Sequence, residues 1–387
     1  MITNMQSGST LSDFISAIRS LAPLIAEHRE TFDRDRRLPE QVFTALAEAN
    51  LFRLWLPKSL DGPQLSPLEF MEVVEEAAAI DGSVGWLVGN GAGMSRVAGY
   101  LDPAVSREVF EDPKSFVVSG TMPNGVATPC DGGYFVSGHW TFGSGSNHAN
   151  WYMGLCRVAE VDGNANPRMV ACYFRARETT LIDTWHVSGL KATGSNDFKV
   201  EEIFVPEQYS HPQLGGRATV DDVLYRIPWG SIFPWTVAVV PLGIARGAMT
   251  CAADIASRKG RQGSDVLLRD REIVQLELGR CEALIRAARA FLIDAMTTLM
   301  AAVDIGGDSL VAARVGFRLA CTHAADSART VLDNVTAMLG AVSIFETTII
   351  ERCQRDVLAA AKHIAMSPNN YIIGGRSGLG LDPGPRF

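Results

Sequence analysis

No long basic run occurs in this chain of 387 residues, and basic residues are outnumbered: 35 Lys and Arg against 43 Asp and Glu, a formal net charge of −8. A nucleic-acid surface needs grouped cations to displace counterions from phosphates, so nucleic acid is not an expected partner. Cysteine is sparse. The seven residues, Cys130, Cys156, Cys172, Cys251, Cys281, Cys321 and Cys353, show no C-x-x-C and no Cys/His spacing suited to a metal. Such a scattered, odd-numbered set reads as reduced, buried thiols, and no metal site is expected. Long apolar runs are missing too. The most apolar stretch, IFPWTVAVVPLGIA, is interrupted by Pro234 and Pro241 and is too short to span a bilayer. The opening MITNMQSGST has neither the charged nor the apolar region of a secretory leader. A soluble cytoplasmic protein is therefore the expectation. Strands and helices do not alternate, which weakens a tempting glycine pattern. GNGAGM (89–94) follows no strand and lacks a third glycine at the right spacing, so close helix packing is expected of it rather than dinucleotide binding.

What is present points to a globular chain: 47% hydrophobic and 20% charged residues, enough for two or three packed units. Three zones follow one another. In the first, LSDFISAIRSLAPLIAEHRE sets Phe14, Ile18, Leu21 and Ile25 at helical spacing, with Pro23 placed to kink or split the helix. Pro39 suits a first helical turn, and Ser66, Pro67 and Glu69 mark a helix start. The run from Ser66 breaks at Asp81-Gly82. In the second zone KSFVVSGT, GGYFVSGHWTF, NWYMGLCRVAE, RMVACYFRA and FKVEEIFVP read as strands, separated by turn signals such as Asp131-Gly132-Gly133 and DGNANP. In the third, helices return and are long: Leu284, Ala288, Leu292, Ala295 and Leu299 recur every three or four residues. The expected architecture is α+β. A helical domain at 1–113 precedes a compact, barrel-like β domain at 114–224, and a four-helix bundle fills 225–387.

The segment WTFGSGSNHANW (140–151) stands out, because two tryptophans bracket small hydroxyl-bearing residues between two alternating strands. Other pieces place it. GLKATGSNDFKVEEIFVP (189–206) is similar to the G-x-x-x-T-G-S-x-D segment of the acyl-CoA dehydrogenase superfamily, and IIERCQRDVLAAAKH (349–363) to its R-x-x-R-D helix. The stretch LFRLWLPKSLDGPQLSPLEFMEVVEEAAAIDGSVGW resembles its N-terminal helical domain, so the likeness covers nearly the whole chain. Within that superfamily, GGYFVSGHWTFGSGSNHANW resembles the G-x-W-x-F-x-S-G-x-x-H-x-x-W pattern of two-component flavin-dependent monooxygenases. These are the oxygenase components that hydroxylate phenols such as 4-hydroxyphenylacetate, or indoles. The ending HIAMSPNNYIIGGRSGLGLDP is similar to that branch. Where dehydrogenases of this fold place a glutamate base in an E-G-T-like turn, this chain reads MSPNN. Glu346 and Glu351 are the nearby carboxylates, and Glu351 belongs to the R-x-x-R-D helix pattern.

The resemblance implies an enzyme that takes reduced FAD or FMN from a separate reductase. With O2 it would form a C4a-hydroperoxyflavin and transfer one oxygen atom to a small aromatic substrate, phenolic or indole-like. It also implies a homo-oligomer, dimer or tetramer. The alternatives are an acyl-CoA dehydrogenase, an oxygenase acting on nitrogen or sulfur, and a catalytically silent flavin-binding protein. By the same resemblance, Trp140, Phe142, Ser144 and Gly145 line the flavin ring. The Ser144 hydroxyl, able to donate and accept, serves N5, and Gly143 and Gly145 admit the backbone close to the ring. His363 is the candidate to take a proton from a phenol or indole N–H, or to hydrogen-bond the peroxide. Ser119 is placed at the substrate or flavin edge, and His148 is a weaker candidate that could fix the loop. Thr193 and Ser195 would serve the flavin's polar edge or ribityl chain. Arg258 and Lys259 would reach the cofactor phosphates, commonly those of a neighbouring subunit. Trp86, Trp229, Phe233 and Trp235 would line the substrate pocket with His363. Met94 stands where phenol hydroxylases can carry a second histidine, which favours a more apolar substrate.

Overall fold

The predicted N-terminal helix is split where Pro23 places the break. Helix α1 (Leu11–Ser20) ends and α2 (Ala22–Glu27) begins with the proline in its first turn, followed by α3 (Arg29–Asp35) and α4 (Glu40–Glu48). Phe14, Ile18, Leu21 and Ile25 are all buried. The structure is a computed structural model describing residues 8–159, 168–213, 216, 218–261 and 263–384, so the DGNANP turn lies outside the described residues. Helix α5 (Pro67–Ile80) stops one residue before Asp81-Gly82, and α6 (Gly82–Met94) starts there. Helix α7 (Pro103–Phe110), N-capped by Asp102, closes the first zone.

Seven strands follow: β1 (Val117–Cys130), β2 (Gly133–Gly143), β3 (Trp151–Val158), β4 (Met169–Arg175), β5 (Thr180–Ile182), β6 (Asn196–Pro206) and β7 (Ser210–Pro212). They form one sheet in the order β5-β6-β2-β1-β3-β4-β7, antiparallel except for the β1–β3 pair. The remaining helices are α8 (Val223–Arg226), α9 (Trp229–Ala238), α10 (Val240–Arg258), α11 (Glu272–Val303), α12 (Gly307–Leu339), α13 (Ile349–Ala360) and α14 (Asn369–Gly378).

Chain compaction divides these elements into two units. The first holds residues 1–66, 87–187 and 191–226; the second holds 67–86, 188–190 and 227–387. In the first, the sheet is built around Trp140. Its indole is fully buried, donates Nε1–H to the Leu155 carbonyl at 3.0 Å and stacks on Phe198. Gly120, Gly125, Gly138 and Gly154 surround the ring so closely that a Cβ on any of them would come within 2.4–2.6 Å of an indole carbon or of a side-chain atom beside it. In the second unit α10, α11, α12 and α13 pack on one another and α5 packs on α10. The buried stripe of α11 is Cys281, Ile285, Ala288, Leu292, Ala295 and Leu299. Glu75 of α5, buried, accepts from Arg289 Nε of α11 at 2.7 Å, an internal ion pair between the two helices.

Residues 229–258 are long and apolar enough to cross a membrane by length and composition. Even so, 72% of their most apolar window is buried inside the molecule, as expected of a core helix pair. GNGAGM is helical, as expected of a packing element: Gly91 lies against Phe116 and Phe52. All seven cysteines are free thiols.

Candidate functional site

In the sheet-bearing unit the site begins where β2 loses its alternation. Inward-facing residues of β2 are the even-numbered Val136 and Trp140, so Phe142 should also point inward. The register shifts between Trp140 and Gly143, however, and Phe142 adopts a φ of +61°. Its ring is turned out and 70% exposed, with Trp185 edge-on to it. This separates two residues expected to act together. Phe142 is available to a flat ligand, whereas Trp140 is a core residue and forms no wall of a site. Gly145 has a φ of +84°, and a Cβ there would stand 2.3 Å from Phe116. Glycine is required at this position by the turn and by Phe116.

The loop after β2 is fastened to the segment before β6 by backbone and hydroxyls. Gly145 N–H donates to Thr193 O at 2.7 Å, and Ser146 Oγ–H donates to Gly194 O at 2.7 Å. Three hydroxyls then form a chain, with Ser144 Oγ 2.9 Å from Ser195 Oγ and Thr193 Oγ1 2.8 Å from Ser195 Oγ. Such a chain reverses its direction of donation at little cost, so its end group can give or accept a hydrogen bond. Ser144, Thr193 and Ser195 are thus brought together as expected, beside an exposed aromatic ring. This donor set fits the polar edge of a flavin, which changes between accepting and donating at N5 with its redox state. Ser119 is half-buried on β1, paired across to Met153 of β3. His148 stacks on Phe43, with centroids 4.2 Å apart, and its Nδ1 lies 3.9 Å from Glu40. Burial drives its pKa down to about 4, so it is a neutral anchor for the loop. On the other side of Asn147 and Asn196 opens a cavity of about 310 Å³, lined also by Arg36, Arg37 and Asp183. Its charges are largely spent internally: Arg36 grips Asp183 through two bonds of 2.6 and 2.9 Å.

In the helical unit, His363 follows α13 and caps the short turn Ile364–Met366. Its Nδ1 accepts from Ala365 N–H at 3.2 Å. That bond assigns the ring proton to Nε2. Burial lowers the His363 pKa to about 4. The ring is therefore neutral in this structure, with its Nδ1 lone pair engaged by Ala365 and its proton on Nε2. Trp86 meets it edge-to-face at 5.4 Å. The turn packs on α9, where Trp229 and Phe233, one helical turn apart, are both half-buried. Trp235 is not with them. It is 1% exposed, and its Nε1–H donates to Pro67 O at 2.8 Å, so it belongs to the core. Met94 is likewise 1% exposed and lies in the core of the other unit. Arg258 is exposed at the end of α10 and ion-paired to Asp254 one turn back, and Lys259 beside it is also exposed. Neither is gathered toward the other candidates of its unit. Glu351 is held by Arg355 through bonds of 2.5 and 2.9 Å, and Glu346 is exposed.

One cluster has no counterpart in the sequence reading. Asp356 is the aspartate of the R-x-x-R-D pattern, to which the sequence assigns no role. It is 2% exposed, and its Oδ1 accepts from Leu190 N–H at 2.6 Å. Asp81, also buried, caps α6 by accepting from Ser83 N–H and Val84 N–H. Burial first, then the neighbouring Asp81 charge, pushes the Asp356 pKa up to about 7. A carboxyl raised in the folded state binds a proton that the unfolded chain has already lost, so stability falls as pH rises through this window. The wild type should therefore lose Tm relative to Asp356→Asn between about pH 4 and about 7. The loss should be roughly 2–4 °C for each kcal/mol of linkage. Parallel melting curves of the two proteins across that range would refute it.

Residues 14–108 match the acyl-CoA dehydrogenase N-terminal domain and residues 235–368 match the acyl-CoA dehydrogenase C-terminal domain. The chain belongs to the acyl-CoA dehydrogenase fold family. Its relatives in that family include the indole-3-acetate monooxygenase of Pseudomonas putida, 27% identical over 99% of this chain and 96% of that one. They also include the flavin-dependent monooxygenase oxygenase subunit HsaA of Mycobacterium tuberculosis, 28% identical over 96% of each. The crystal structure of HsaA superposes with a TM-score of 0.86, covering 97% of this chain and 99% of that one at 27% identity. XiaF from a Streptomyces species, solved with FADH2 and glycerol, matches at the same TM-score of 0.86, 27% identical and covering 96% of both chains. Homologues of this chain are thus flavin-dependent monooxygenases. This chain has acyl-CoA dehydrogenase-type N- and C-terminal helical domains and a seven-stranded sheet.

Proposed function

We propose that this chain is the oxygenase component of a two-component flavin-dependent monooxygenase. It would receive reduced flavin from a separate reductase and place one atom of dioxygen on a small aromatic substrate, phenolic or indole-like. The observation that carries the reading is the Ser144–Ser195–Thr193 hydroxyl chain beside the outturned Phe142. The names of relatives that align over nearly the whole chain support it. FADH2 in the XiaF structure favours FAD over FMN.

Reduced flavin, when bound, supplies the electrons that activate dioxygen. Ser144, Thr193 and Ser195 would hold its polar edge, and Phe142 would cover a ring face and exclude water. His363, a neutral donor, would hydrogen-bond a substrate oxygen, with Trp86, Trp229 and Phe233 as apolar neighbours. A dehydrogenase needs a carboxylate base free to take a proton. Glu351, committed to Arg355, is not free. Assembly into a dimer or tetramer, residence in the cytoplasm, and phosphate contacts from Arg258 and Lys259 across subunits belong to the same proposal.

The test is anaerobic loading with chemically reduced FAD or FMN, followed by 18O2 and a panel of phenols and indole acids. One labelled oxygen in a hydroxylated product supports the reading. Bleaching of bound oxidised flavin by an acyl thioester, without label in any aromatic product, would overturn it.

A further inference from the structure

We propose that Asp356 is a positioning residue: with Arg355 it clamps the segment Ser188–Leu190 and so fixes the backbone that leads into the Lys191–Thr193 turn. Three contacts of different kinds make the clamp. The Arg355 guanidinium donates to Ser188 O at 2.6 Å. Gly189 is pressed so close to α13 that a Cβ there would lie 2.1 Å from the Arg355 carbonyl oxygen. Leu190 N–H donates to Asp356 Oδ1 at 2.6 Å. Arg355 is itself held straight by Glu351.

Leu190 gives the clamp its consequence. It is buried and has a φ of +52°, in the left-handed region that a branched side chain occupies only when its surroundings impose it. The bond from its N–H to Asp356 is what imposes it. The next residues leave no slack: Lys191–Thr193 is a tight 3-10 turn, Gly194 is again left-handed at +49°, and Ser195 follows. A rotation lost or gained at Leu190 is therefore passed along the chain into the backbone of this turn. The charged groups facing Asp356 are Asp81, Arg352 and Arg355. Its Oδ2 makes no hydrogen bond among the described residues and abuts Gly82, where a Cβ would lie 2.8 Å away. A neutral side chain of the same shape should thus keep the clamp, because Oδ1 alone receives the Leu190 N–H.

Because the value of the hydroxyl cluster rests on the proposed flavin reading, the experiment uses two readouts. Hydrogen exchange by mass spectrometry on the full chain reports amides 188–195 directly, without any ligand. Anaerobic titration with reduced FAD reports the consequence. Asp356→Ala should speed exchange across 188–195 and weaken flavin binding, each about tenfold, while Asp356→Asn stays near wild type in both. Exchange at 188–195 unchanged in Asp356→Ala would overturn the clamp. So would equal acceleration throughout α5, α10 and α13, or an asparagine variant as impaired as alanine. If Asp356→Ala does not fold, Arg355→Ala decides: unchanged exchange at 188–195 rejects the clamp and faster exchange there supports it. A wild type that binds no flavin would sink the flavin reading, while the exchange data would still judge the clamp.

Discussion

Trp140→Ala should melt roughly 6–20 °C below the wild type, from a loss of about 3–5 kcal/mol at roughly 2–4 °C per kcal/mol. The indole is fully buried against four glycines, none of which has a side chain to fill the void, and its loss leaves the Leu155 carbonyl without its donor. A domain's whole stability is only about 5–15 kcal/mol, so this single truncation consumes a large part of it. Thermal and urea unfolding measure it. A residue that walled a cofactor would behave oppositely, with flavin affinity falling and the melting temperature hardly moving. A Tm within a few degrees of wild type, together with impaired flavin binding, would return Trp140 to the site.

Ser144→Ala should reverse that pattern. The side chain is half-buried and its removal leaves no large cavity, so the fold should persist. The hydroxyl chain, however, loses its end, and Ser195 keeps only Thr193. Reduced-flavin affinity and product formed per flavin oxidised should fall by about 10- to 100-fold, the range for losing one well-placed hydrogen bond in a dry site. Hydrogen peroxide should rise in proportion, because oxygen then leaves without reaching the substrate. Ser195→Ala should act in the same direction, and the double variant should cost less than the two effects combined, since both remove one network. Wild-type flavin affinity and coupling in Ser144→Ala would take the hydroxyl chain out of the chemistry.

These contrasts show where the sequence could be read and where it could not. The helical first and last zones and five of the seven strands follow from periodicity and turn residues, which are local. The two missed strands, β5 and β7, are three residues each, too short for alternation to register. β1 runs on to Cys130 because a register shift between Gly120 and Gly125 lets it continue past the expected end. Trp140 and Phe142 have the same parity, and no one-dimensional pattern says that a bulge lies between them. Trp235 and Met94 look like pocket residues as readily as core ones, since an apolar side chain suits both. Ser144, Thr193 and Ser195 were legible only through a resemblance, being distant in sequence. Asp356 was invisible as an anchor, because its partner Leu190 is 166 positions away.

The interleaving of the two units also sets the order of events during synthesis. Helix α5 leaves the ribosome early, yet its packing partner α10 is not complete until Arg258. At about 5–20 residues per second that is a wait of roughly 10–35 s with Phe70, Val73, Val74 and Ala77 still lacking their final cover. The segment Ser188–Leu190 waits in turn for α13. The helical unit therefore cannot close before nearly the whole chain has emerged. A nascent chain stalled before α10 should expose α5 to chaperones, and no single cut in the gene would release either unit with all its parts.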